Sequence, residues 1–78
     1  MTASEFAANL LNLIAANVDC ALMAVKGLNQ QSKGFMVEAA SELGIRVDGT
    51  RNVIKGRFID FVVDRGDRNA KYASRWVA

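Results

Sequence analysis

Basic side chains are concentrated between residues 46 and 57, and their spacing is suited to contacting phosphate groups. A helix is predicted to begin near Arg51, and the free amides and dipole at a helix start favour an anion. Arg51 and Lys55 are one helical turn apart, so we expect them to be neighbours on that helix. Such contacts position a DNA duplex by its backbone without reading its sequence. The predicted nucleic-acid contact residues are Arg46, Thr50, Arg51, Lys55 and Arg57.

The charge of the chain gives only modest support to an anionic partner. The formal net charge is +2. Residues 1–31 carry one Lys against one Asp and one Glu (−1), whereas residues 32–78 carry nine Lys or Arg against six Asp or Glu (+3). The basic half could approach a polyanion, although dedicated nucleic-acid binders are usually more basic. The alternative is an ordinary solvated surface in which Arg57 pairs with Asp60.

Residue types that support catalysis are scarce. Histidine is absent, Cys20 is the single cysteine, and no glycine-rich phosphate loop or nucleophile motif occurs. Two carboxylate pairs have the spacing of helical neighbours, Glu38/Glu42 and Asp60/Asp64. Nothing in the sequence supplies further metal ligands, so we expect a non-enzymatic protein without a cofactor or a metal ion. One cysteine with apolar neighbours is typical of a buried residue in a reducing compartment, which predicts a cytoplasmic protein.

The first 31 residues are predicted to form one long apolar helix. Thr2 and Glu5 match the capping box that opens a helix. Polar residues fall on one arc of this helix, and most of its remaining surface is apolar. A helix of this length spans about 40 Å, whereas a compact domain of this size is only about 30 Å across. Gly27 could bend the helix or end it early.

The excess apolar surface of this helix predicts a homodimer. The remaining chain is too small to cover two wide apolar faces, so one face should pack on a second copy. The predicted dimer interface comprises Leu11, Ile14, Asn17, Val18, Leu22 and Val25. Asn17 could pair with its counterpart across the dimer, or it could be satisfied by the nearby backbone. A transmembrane helix is not expected, because Asp19 and several asparagines interrupt the apolar run.

The chain after residue 31 is also predicted to be helical, which gives a single all-α domain. Its segments are a linker at 32–34, a helix–connector–helix unit over 35–65 and a C-terminal helix or tail over 66–78. Gly66 and Asp67 are expected to break the helical pattern. In the last segment, Tyr72 and Trp76 would share one helix face. Docking of both rings on the core is favoured over contact with a partner, because a small core needs large rings.

The connector between the two central helices has an ordered character. A helix over 35–43 is predicted to stop at Gly44, and the next helix is predicted to start near residue 52. Gly44 and Gly49 suit positive φ, while Ile45 and Val47 are expected to be anchored in a core. The connector is therefore predicted to be a folded part of the domain.

The residue order around this connector resembles the helix–extended-loop–helix fold of SAP domains, LEM domains and the Rho terminator N-terminal module. In the SAP pattern, Leu-Gly-Leu ends the first helix, a Gly-Thr-Lys sequence opens the second, and Leu-x-x-Arg-Leu follows. The matching residues are Leu43, Gly44, Ile45, Gly49, Thr50, Arg51, Ile54, Arg57 and Phe58. Lys55 and Gly56 depart from the pattern. The resemblance implies a helical binding module whose partner is nucleic acid in SAP and Rho-type versions and a protein in LEM versions.

Two functions from different classes are open at this point. The first is a homodimeric module that uses residues 1–31 for assembly and residues 44–57 to contact double-stranded DNA. The second is a helical protein-interaction module, such as a phage or mobile-element inhibitor that binds a host macromolecular machine. A salt-dependent shift of duplex DNA would indicate the first function. A stoichiometric protein partner that resists nuclease treatment would indicate the second.

Overall fold

The computed structural model describes the backbone of residues 1–77 and the side chains of residues 1–66. All regular structure in this part of the chain is helical, so the predicted all-α class is confirmed. The described residues form four α-helices, α1 (Ala3–Ala16), α2 (Val18–Lys26), α3 (Lys33–Leu43) and α4 (Arg51–Val77). A 3₁₀ turn at Gly27–Gln30 follows α2, so the regular α-helix does stop at Gly27. Within the described residues, no helix has the length and apolar character needed to cross a membrane.

The prediction of one long N-terminal helix is wrong, because the helix is interrupted at Asn17. The backbone of Asn17 is extended (φ −163°, ψ 111°), and its N–H donates to the carbonyl of Leu13 at 2.6 Å. Its Oδ1 atom accepts hydrogen bonds from the backbone amides of Asp19 (2.9 Å) and Cys20 (3.3 Å). Asn17 therefore closes α1 and caps α2, since its side chain satisfies amides that lack a helical acceptor. Its side chain is satisfied by the nearby backbone, which was one of the two predicted alternatives.

The break allows both halves of the N-terminal segment to pack on one core. α1 contacts α2, α3 and α4, and α2 also contacts α4. Phe58 of α4 is fully buried, and the ring of Phe6 lies edge-on to both Phe58 and Phe35. Full burial of one such side chain stabilises the fold by about 1.5–3 kcal/mol. Among the described side chains, the other completely enclosed apolar residues are Leu10, Ala21, Val25, Leu28, Ala39, Ala40, Ile54 and Val62.

The predicted dimer interface does not form one exposed surface. Ile14 and Val25 are buried in the chain's own core. Three other members are half-buried or engaged in capping, namely Val18, Leu22 and Asn17. Leu11 is 38% exposed. A long helix that its own chain cannot cover was the premise for the dimer, and the break at Asn17 removes that premise. Self-association itself stays a prediction.

Both ends of α3 are set by local capping residues. The Oγ atom of Ser32 accepts a hydrogen bond from the N–H of Phe35 at 3.2 Å. Because a serine at this position caps a helix, α3 begins inside the predicted linker at 32–34. The predicted end of the helix at Leu43 is confirmed, and Gly44 follows in the left-handed conformation.

α4 continues through the predicted break at Gly66 and Asp67, so the boundary expected at residue 66 is wrong. Gly66 is buried against α2, where an added Cβ atom would lie 2.5 Å from Cγ2 of Val18. The glycine is therefore required by the close approach of two helices and not by a turn. The predicted docking of Tyr72 and Trp76 concerns side chains outside the described residues.

Candidate nucleic-acid interface

The connector between α3 and α4, residues 44–50, has a defined backbone path. Gly44 and Gly49 have positive φ angles of 73° and 108°, as predicted. The N–H of Ile45 donates to the carbonyl of Ala40 at 2.8 Å, which satisfies a carbonyl in the last turn of α3. A Cβ atom at Gly49 would lie 3.0 Å from a valine methyl group of α4. The left-handed backbone and this close approach both favour glycine at that position.

Arg57 of α4, and not Val47, holds the second half of the connector. Ile45 packs against the core as predicted, but Val47 is 37% exposed, so its predicted anchoring is wrong. The Nη1 atom of Arg57 donates to the carbonyl of Arg46 at 3.1 Å and also to the carbonyl of Asp48. It lies 3.5 Å from Oδ1 of Asp48 as well. One guanidinium thus ties two connector carbonyls to α4.

Arg46 and Arg57 converge on the carboxylate of Asp48. The Nε and Nη2 atoms of Arg46 each lie 3.2 Å from one oxygen of that carboxylate, which is a two-point contact. The exposed fractions of the side chains are 78% for Arg46, 62% for Asp48 and 27% for Arg57. Asp48, and not the alternative partner Asp60, is therefore the carboxylate that pairs with Arg57. We refer to Arg46 and Arg57 as the arginine cradle.

The surroundings of Asp48 favour its ionised form. A hydrogen bond with its own backbone and the charges of Arg46 and Arg57 hold the pKa of Asp48 below the ordinary value of 3.8, against an opposing effect of desolvation. An ionised carboxylate offers two oxygens to a guanidinium group, and a phosphodiester does the same. The cradle therefore already binds one oxyanion, which the chain itself supplies.

Arg51 and Lys55 contact the junction between α2 and α3. The Nη2 atom of Arg51 donates to the carbonyls of Asn29 (3.0 Å) and Gln31 (2.7 Å). The Nζ atom of Lys55 donates to Oδ1 of Asn29 at 3.0 Å. Carbonyls at the end of a helical turn need partners from outside the helix, and Arg51 supplies them here. We refer to Arg51 and Lys55 as the junction pair.

The predicted contact residues therefore do not share one surface. At 3.6 residues per turn, Arg51 and Lys55 are about 40° apart around α4, whereas Arg57 is about 120° from Arg51. Thr50 is engaged at the helix start, where its Oγ1 atom accepts a hydrogen bond from the N–H of Val53 at 3.3 Å. A polar cavity of about 430 Å³ opens there, lined by Asn29, Met36, Thr50, Arg51 and Asn52. The structure divides the four cations between the cradle and the junction pair.

An exposed apolar face on α4 is a feature that the sequence analysis missed. Ile59 and Val63 lie one helical turn apart on α4 and are 38% and 44% exposed. The buried stripe of the same helix consists of Ile54, Phe58 and Val62. Ile59 and Val63 lie about 100–140° around the helix from the middle of that stripe, and this offset is the signal that could have identified them as outward-facing. Exposed apolar residues grouped on one helix face are typical of partner-binding surfaces.

The described side chains show no group of three or more His, Cys, Asp or Glu residues placed to hold a metal ion. Cys20 is exposed, so its predicted place in the core is wrong. Comparison with protein-family models, with curated proteins and with solved structures gives no match. Function must therefore be inferred from the arginine cradle and from the apolar face of α4.

Proposed function

We propose that this chain is a small non-enzymatic DNA-binding module whose arginine cradle contacts the phosphate backbone. The convergence of Arg46 and Arg57 on one oxyanion, at 3.2 and 3.5 Å from the carboxylate of Asp48, is the observation that carries this proposal. Guanidinium groups bind phosphate oxygens with the same fork geometry. Arg46 is the outer member, with 78% of its side chain exposed to solvent.

A nucleic-acid backbone suits the cradle better than a small enclosed ligand does. The cradle lies along an exposed connector, so a bound group would stay open to solvent on one side. Arg46 is exposed and Arg57 is partly engaged with connector carbonyls, so the cradle corresponds to about one to two phosphate contacts and a slope of about −1 to −2 in log K against log salt concentration. Binding of this kind is weak, independent of sequence and strongest at low salt.

The junction pair and Thr50 are not included in the proposed contact surface. The donor atoms of Arg51 and Lys55 are engaged with the α2–α3 junction. The hydroxyl of Thr50 accepts a hydrogen bond from the first turn of α4. These contacts would have to break before the same groups could contact phosphate. The proposed surface is therefore smaller than the one predicted from spacing alone.

Fluorescence anisotropy with a labelled duplex of mixed sequence tests the proposal. Arg46→Gln is expected to weaken binding and to reduce the magnitude of the salt slope by about 1. Arg65→Gln is a matched control, because it removes the same charge from an exposed residue of α4 whose guanidinium lies 4.9 Å from the ring centre of Phe61. Absence of salt-dependent binding, or equal weakening by the two variants, would contradict the proposal.

A second candidate function is protein interaction, as in a phage or mobile-element inhibitor of a host machine. The exposed face of Ile59 and Val63, which lie one helical turn apart on α4, is the observation that favours it. A double change, Ile59→Lys with Val63→Lys, is expected to abolish capture of a protein partner from nuclease-treated extract. Glu38→Lys on the exposed surface of α3 is the control and should leave capture intact.

A homodimer formed through the same apolar face is the simplest form of the second candidate. Light scattering would then give twice the monomer mass of 8.5 kDa for the unaltered chain. The Ile59→Lys, Val63→Lys variant would return to the monomer mass. A monomer at all concentrations up to the solubility limit would contradict self-association in either function.

A further inference from the structure

The carboxylate of Asp48 occupies the position in the cradle that the proposed phosphate contact requires. Its oxygens lie 3.2 Å from Nε and Nη2 of Arg46, and its Oδ1 atom lies 3.5 Å from Nη1 of Arg57. One guanidinium edge accommodates one two-point oxyanion at a time. An external phosphate must therefore displace Asp48 before it can contact Arg46 in this way.

We propose that Asp48 is an intrachain competitor that limits the affinity of the cradle for backbone phosphate, an inference that rests on the proposed function. Asp48 and Arg46 are separated by one residue of the connector, so the carboxylate is always present at a high effective concentration. The pair is also open to exchange, because both side chains are largely exposed and exposed ion pairs are weak in water. A partner's phosphates must therefore bind Arg46 more strongly than the Asp48 carboxylate does.

Neutralising Asp48 is expected to free the cradle without dismantling it. Nη1 of Arg57 donates to the backbone carbonyls of Arg46 and Asp48, and these contacts do not depend on the carboxylate charge. The positive φ angles of Gly44 and Gly49 are likewise independent of it. Asp48→Asn therefore isolates the effect of the charge while the connector keeps its path.

Two isosteric variants with the same change in net charge test the competition by anisotropy with a labelled duplex. Asp48→Asn is expected to bind about two- to fivefold more tightly than the unaltered chain at low salt, a range set by the strength of exposed ion pairs. Glu38→Gln removes one negative charge from α3 and should change the affinity by less than about 1.5-fold, because the carboxylate of Glu38 is not paired with either arginine of the cradle. Adding Arg46→Gln to Asp48→Asn should abolish most of the gain.

Every outcome either supports or overturns the proposal that Asp48 competes with phosphate. The DNA-binding proposal can still hold if the proposal about Asp48 fails. A gain in Asp48→Asn that exceeds the gain in Glu38→Gln supports the competition. Equal gains, no gain or weaker binding in Asp48→Asn would overturn it, while binding by the unaltered chain would leave the proposed function standing. If neither the unaltered chain nor Asp48→Asn binds the duplex at low ionic strength, both proposals fail.

A measurement on the unaltered chain covers the case in which Asp48→Asn fails to fold. The Nε–H resonance of Arg46 reports on its hydrogen bond to Oδ1 of Asp48. Addition of duplex DNA is expected to shift this resonance as phosphate replaces the carboxylate. A resonance that stays unchanged while other signals saturate would show that Asp48 is not displaced, and it would overturn the competition.

Discussion

The junction pair and the arginine cradle are similar in composition and different in environment. In the junction pair, Arg51 donates to two backbone carbonyls at 3.0 and 2.7 Å, which are fixed parts of the fold. In the cradle, Arg46 contacts a carboxylate on the exposed side of the connector. Loss of Arg51 there removes two hydrogen bonds that link α4 to the turn after α2, whereas an exposed carboxylate can exchange its cation for water or another ion.

The difference shows that cations close together in the sequence can have different partners in the fold. The junction pair stabilises the contact between α4 and the turn after α2, while the cradle presents charge to solvent. Arg57 is intermediate, because it holds connector carbonyls and also faces Asp48. We therefore expect stability effects to dominate at the junction pair, affinity effects to dominate at Arg46, and both to occur at Arg57.

Arg51→Met is expected to cause the largest loss of stability among these variants. The substitution leaves the carbonyls of Asn29 and Gln31 without their guanidinium donor, which should lower the free energy of unfolding by about 1–2 kcal/mol. Lys55→Met removes one hydrogen bond to a side chain and should cost about 0.5 kcal/mol. Urea denaturation measures both values. Equal losses in the two variants would show that the backbone-carbonyl partners of Arg51 contribute no more stability than the side-chain partner of Lys55.

Arg57→Gln is expected to affect both stability and DNA binding. Loss of the donors to the carbonyls of Arg46 and Asp48 should lower the free energy of unfolding by about 1 kcal/mol. The connector should also open more often, so hydrogen exchange of the Ile45 amide, which donates to the carbonyl of Ala40, should accelerate relative to amides in the middle of α3. Unchanged exchange in the connector would show that Arg57 does not hold it.

Arg46→Gln is expected to leave stability nearly unchanged while it weakens duplex binding. Its contact with Asp48 is exposed, so its loss should alter the free energy of unfolding by less than about 0.5 kcal/mol. The same urea measurement and the anisotropy titration together give the ratio of the two effects. A stability loss as large as that of Arg51→Met would place Arg46 in the same structural class as the junction pair.

The parts of the fold that could be predicted from the sequence are those set by local signals. The end of α3, the positive φ angles of Gly44 and Gly49, and the start of the next helix near Arg51 all follow from glycine placement and apolar spacing. These features need information from only a few adjacent residues. For this reason the connector was predicted more accurately than the N-terminal segment.

The predictions that were wrong depend on contacts that the periodicity of the sequence does not encode. Asn17 fits a continuous helical pattern, and its role as a cap depends on a side-chain bond competing with the helix. Gly66 has the composition of a break, but its close approach to Val18 is a contact between distant helices. The acceptors of Arg51 are backbone carbonyls, which every residue carries and no sequence motif marks. Spacing could therefore locate the cations but could not assign their partners.

The smallest expected effect concerns the pH dependence of stability at the cradle. Because the pKa of Asp48 is lowered in the folded state, the ionised carboxylate contributes stability above its unfolded pKa, and that contribution is lost as pH falls through the lower folded value. Arg46 and Arg57 are the cations that face this carboxylate. The difference in Tm between the unaltered chain and Asp48→Asn should therefore be constant above about pH 5 and shrink below about pH 4.

Taking the difference in Tm between the two chains at each pH removes the contributions of the other carboxyl groups, which are the same in both chains. The junction pair supplies the contrast, since among the described side chains neither Arg51 nor Lys55 has a carboxylate as its hydrogen-bonding partner. The difference in Tm between the unaltered chain and Arg51→Met should accordingly stay level from pH 6 to pH 3. If both differences change together below pH 4, or if neither does, the exchangeable carboxylate does not distinguish the cradle from the junction pair.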